Sequence, residues 1–89
     1  MAKVDVISPG SEQTGNSVSL TNCDTTDKTK LIYMISPWNS SDGSWIGPWA
    51  PAGVSGSTLD ITGWKDNYIE NADWKMTSWK SIIVIQTDE

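Results

Sequence analysis

The chain has 89 residues, enough for one layered core and no second one, and it sets eleven acidic residues against six lysines, with no arginine and no histidine, for a net charge of −5. That balance leaves no basic surface to track phosphates and no arginine to read bases, so nucleic acid is set aside as a partner. Apolar residues make up 37%, yet six tryptophans stand beside no phenylalanine, which concentrates the apolar content in a few large amphipathic side chains.

In chain order, Val4, Val6 and Ile7 alternate with polar neighbours up to Pro9-Gly10 and predict a first strand ending in a turn. A polar loop over 11–16 follows. Val18 and Leu20 then share one face of a second strand, with Asn22 a candidate third member, while Ser17, Ser19 and Thr21 take the other face. The stretch 24–29 is entirely polar and reads as a turn. Leu31-Ile32-Tyr33-Met34-Ile35 is a continuous apolar run, too short for a helix and suited to a central strand covered on both faces.

Three prolines and four glycines between Pro37 and Gly56 exclude a long helix and predict loop, with a short strand near 44–47. Thr58 to Thr62 alternates cleanly as a further strand. Over 64–73, Trp64, Tyr68, Ala72 and Met76 recur every four residues; a helical turn competes there with irregular loop, and loop is preferred. Residues 74–79 form a strand with Trp74 and Met76 on one face, and Lys80 to Gln86, with Ile82-Ile83-Val84-Ile85, belongs at the sheet centre. The whole reads as one all-β domain over 1–89, a small antiparallel β-sandwich or partly closed barrel of six to seven short strands.

The single cysteine, Cys23, excludes an intrachain disulfide and is expected to be a buried free thiol. The start, Met1-Ala2-Lys3-Val4-Asp5, has no basic segment followed by an apolar run, and no stretch is long enough to span a bilayer, so the expected location is cytoplasmic or non-classically secreted.

An enzyme is not expected, because histidine and arginine are absent and the lone thiol has no histidine to activate it. Carboxylates remain, and Asp42, Asp60, Asp66, Glu70 and Asp73 offer pairs of the glycosidase type, but so short a chain has little material for a catalytic cleft. No cofactor is expected either. Calcium is the one ion with ligands on offer, in the oxygen-rich stretch 66–73, where the EF-hand spacing is absent and a solvated acidic loop is the better reading.

The tryptophans carry the functional question. About half of them would fill a core that lacks phenylalanine, with Trp74 the first candidate. Trp38, Trp45 and Trp49 instead lie among Pro, Gly and Ser beside Asn39 and Asp42, and Trp64 stands near Asp66, Asn67 and Tyr68. A flat indole next to amide and carboxylate groups suits a sugar ring, whose C–H face stacks while its hydroxyls donate and accept. The leading expectation is therefore a lectin-like, carbohydrate-binding domain using these nine residues, in a homo-oligomer that would gain avidity. Two other readings compete. The exposed tryptophans would serve a protein–protein interface between copies, or they would contact a membrane surface, a reading lowered by the negative charge and the lack of an amphipathic helix.

Overall fold

The computed structural model describes residues 2–38, 45–62 and 78–88. Among these residues, seven antiparallel strands form two sheets: β1 (Lys3–Ile7), β7 (Trp79–Gln86), β3 (Leu31–Pro37) and β4 (Ile46–Trp49) lie in the order β1-β7-β3-β4, and β2 (Ser17–Ser19), β6 (Thr58–Asp60) and β5 (Gly53–Ser55) in the order β2-β6-β5. The sheets are separate and do not close into a barrel. Their facing sides supply one core, with Leu31, Tyr33, Ile35, Trp79, Ile82 and Val84 from the larger sheet meeting Val18, Leu59 and Ile61. The Tyr33 hydroxyl donates across the core to the Ile61 carbonyl at 3.3 Å.

β7 is the long β-branched run and sits inside its sheet, between β1 and β3, as its sequence predicts. It begins one residue earlier than expected. Trp79 is its first residue, not the end of a separate strand, and the register passes from Ser36↔Ser81 to Pro37↔Trp79, leaving Lys80 without a partner. That extra residue is a β-bulge, which reverses the side-chain alternation and turns Trp79 inward together with Ile82. Its indole Nε1 donates to the Gly15 carbonyl at 3.2 Å, and its backbone exchanges two hydrogen bonds with Gln13.

Two further expectations are corrected. The strand anticipated near 44–47 occupies Ile46–Trp49, and an unforeseen strand, Gly53–Ser55, pairs with β6. β3 is internal, but it is not buried on both sides: Leu31, Tyr33 and Ile35 are buried and Ile32 and Met34 only half so. β1 forms as expected, and its alternation places Val4 and Val6 outward, 44% and 65% exposed, and Asp5 inward, only 4% exposed. The expected loop over 64–73 and strand residues 74–77, with Trp74 and Met76, lie outside the described residues.

Candidate functional site

A buried carboxylate decides which way β1 faces. Asp5 Oδ1 accepts from the backbone N–H groups of Thr21 and Asn22 at 3.0 Å each, and Oδ2 from Asn22 at 3.1 Å and Cys23 at 2.8 Å. A one-residue slip would bring both valines inward but strip the 21–23 turn of its acceptor. Burial pushes the Asp5 carboxyl up, and the N–H groups of Cys23, Asn22 and Thr21 outweigh it, so the group lies below its ordinary value. Beside it, burial and then the Asp5 carboxylate push the Cys23 thiol up to about 11; the thiol donates to the Val84 carbonyl at 3.7 Å.

With β1 in this phase, the outer face of the larger sheet is apolar. Val4, Ile85 and Ile32 stand opposite one another in one cross-strand row, and Val6, Ile83 and Met34 in the next. None of the six is fully buried. The next row begins the polar margin, where the Ser8 and Ser81 hydroxyls are hydrogen-bonded. No carboxylate lies within the two apolar rows, although the chain is strongly acidic. Past β3, Met34 lies over Gly47, where a side-chain carbon would come within 3.2 Å of Met34 Cγ and 3.0 Å of the Tyr33 carbonyl, and where φ is +127°. Glycine is what lets β4 approach so closely.

Both edges of this sheet resist strand addition. β1 carries the charged Lys3 and Asp5, and Asn22 Nδ2 donates to the Val4 carbonyl at 3.0 Å. β4 contains Pro48, which has no N–H to offer. The outer face thus stays partly exposed, while both edges are guarded against a further strand.

The four described tryptophans divide into three environments. Trp79 is in the core. Trp49 is half-buried, and its ring stands 5.9 Å from that of Tyr33, tilted by 47°, so it packs against the core rather than standing in a loop. Trp38 and Trp45 are 38% and 45% exposed, at the end of β3 and just before β4. Asn39, Asp42, Trp64, Asp66, Asn67 and Tyr68, and the calcium-ligand stretch 66–73, lie outside the described residues. Among the described residues, no three carboxylate or thiol groups stand together as a metal would need.

The smaller sheet presents the opposite chemistry. On its outer face Ser17, Asp60 and Gly53 form one row and Ser19, Thr58 and Ser55 the next. They border a cavity of about 390 Å³. Asp60 Oδ1 accepts from the Thr62 hydroxyl at 2.5 Å and the Thr62 N–H at 2.9 Å, and these two donors, the hydroxyl foremost, hold its carboxyl below the ordinary value. In the sequence Asp60 was one carboxylate among several; its cavity depends on a glycine seven residues away that only strand pairing reveals. No family model, curated protein or solved structure matches the chain.

Proposed function

We propose that the protein is an association module that pairs face to face with a second copy of itself through the outer side of the sheet β1-β7-β3-β4. The observation that carries this reading is the pair of apolar rows Val4–Ile85–Ile32 and Val6–Ile83–Met34, left half-exposed while Asp5 is buried beneath them. For a chain of charge −5, a patch without carboxylates is where two copies can approach without repulsion. Blocked edges leave sheet-on-sheet packing as the available mode, with layers about 10 Å apart.

Across four strands, the two apolar rows and the polar row beside them cover roughly 20 Å by 20 Å, so two copies would bury a footprint of about 800 Å² between them. Stable specific interfaces start near 1,200 Å². The pair is accordingly a weak, reversible dimer with a dissociation constant of about 10 μM to 1 mM. Sedimentation equilibrium over a wide concentration range tests this, with Val6→Lys as the control: Val6 is well exposed, so lysine spares the fold but places a charge in the interface. The wild type should associate and the variant remain monomeric at unchanged stability; a wild type that is monomeric throughout refutes the proposal.

A second reading, a saccharide stacked on the indole of Trp38 or Trp45, is favoured by the exposure of both side chains.

A further inference from the structure

The cavity on the outer face of the sheet β2-β6-β5 has a chemistry that neither the apolar face nor the loop tryptophans share. Its volume, about 390 Å³, is at the small end of ligand cavities, which run from about 300 to 1,000 Å³. Among the described residues, the polar lining comes from Asn16, Ser17, Ser55, Thr58, Thr62 and Asp60, with neither a lysine nor an aromatic ring. An anion would find no cation there and one carboxylate opposing it. An apolar ligand lying over Asp60 would strip water from its carboxylate and give nothing back.

What remains must donate to a carboxylate and both donate to and accept from hydroxyls, which is the pattern of a neutral polyol. An ammonium ion donates only and would leave the serine and threonine O–H groups without an acceptor in the ligand.

The carboxylate is already set for this task. Thr62 engages Asp60 Oδ1 twice, fixing the group, while Oδ2 accepts no hydrogen bond among the described residues. Oδ2 borders the space left by the missing side chain of Gly53: a Cβ built there would lie 3.9 Å from it and 3.8 Å from Asp60 Cβ. We propose that this cavity binds a single neutral sugar ring, with a ring hydroxyl donating to Asp60 Oδ2 in the gap above Gly53. The site is separate from the dimer face and stands or falls independently of it.

With no indole to stack on, affinity should be low, about 1 mM, as a dozen or so non-hydrogen atoms reach at ordinary ligand efficiency.

The test is a titration of the ¹⁵N-labelled full chain, followed by amide shifts, with D-glucose, D-galactose, D-mannose and N-acetylglucosamine, and with D-glucuronate and ethylammonium as charged probes. At least one neutral sugar should move the amides of Ser17, Gly53, Ser55 and Asp60 saturably, and glucuronate should bind at least tenfold more weakly. Gly53→Val then separates site from fold. A Cβ at Gly53 makes only ordinary contacts, and valine suits a strand better than glycine, so the melting temperature should hold or rise while sugar affinity falls at least tenfold. Trp45→Ala should leave binding unchanged. The proposal is overturned if none of the four sugars shifts those amides, if Gly53→Val still binds, if ethylammonium binds more tightly than every sugar, or if binding is lost with Trp45→Ala instead.

Discussion

Replacing Asp5 with asparagine keeps the shape of the side chain and removes its charge, which isolates what the carboxylate does for β1. Three backbone N–H groups, those of Thr21, Asn22 and Cys23, converge on its two oxygens. Hydrogen bonds to a charged acceptor contribute about 1.5–3 kcal/mol each, against about 0.5–1.5 kcal/mol for neutral ones. Asparagine keeps one acceptor oxygen, enough for two of the three donors, and turns an N–H₂ group towards the third. The expected loss is about 3 kcal/mol, a large share of the roughly 4–13 kcal/mol that a domain of this size possesses. Urea denaturation at pH 7 should show it as a lower midpoint with an unchanged slope.

The same substitution alters the acid response. The folded-state carboxyl lies below the ordinary 3.8, so its contribution is complete above the unfolded-state value and is lost as the pH falls through the folded one. Below about pH 4 the wild type should therefore weaken more steeply than Asp5→Asn. The slope shrinks without vanishing, because Asp24, Asp27 and Asp60 are shifted in the same direction. A loss under about 1 kcal/mol at pH 7, together with an identical acid profile, would refute the role given to Asp5.

Two further outcomes follow from the core. Trp79→Ala should cost about 3–5 kcal/mol, the range for emptying a buried aromatic site, and should remove a protected component of the tryptophan emission; a loss below about 1 kcal/mol in chemical denaturation would contradict its place in the core. Cys23, buried and with its thiol pushed up to about 11, carries thiolate at only about one part in a thousand at pH 8. A disulfide reagent should label it only as fast as the protein unfolds, and rapid labelling of the native protein would show that the thiol is accessible.

Residue types predict β2, β3, β6 and β7 because each is a compact apolar or alternating run between turn-forming residues. They do not predict the phase of β1. Val4 and Val6 alternate with Lys3 and Asp5 as they would if the valines faced the core, and the groups that reverse this are backbone N–H donors sixteen to eighteen residues away, which no side-chain pattern encodes. The bulge at Lys80 is hidden for a similar reason, since it exists only in the pairing of Ser36-Pro37 with Trp79 and Ser81. The run Leu31 to Ile35 resembles a strand buried on both sides because its outer residues, Ile32 and Met34, are as apolar as its inner ones; that likeness is itself the trace of the apolar face. Among the tryptophans, the Pro, Gly and Ser setting anticipates the exposure of Trp38 and Trp45, but not the packing of Trp49, which depends on meeting Tyr33 across the sheet.

The apolar face is the centre of this account, and amide shifts of the ¹⁵N-labelled protein recorded across about a hundredfold range of concentration test it most directly. Concentration-dependent shifts gathered on Val4, Val6, Ile32, Met34, Ile83 and Ile85, with the amides of β2, β5 and β6 unmoved, are the predicted result. Spectra that do not change with concentration, or changes gathered on the β2-β6-β5 sheet, would contradict it.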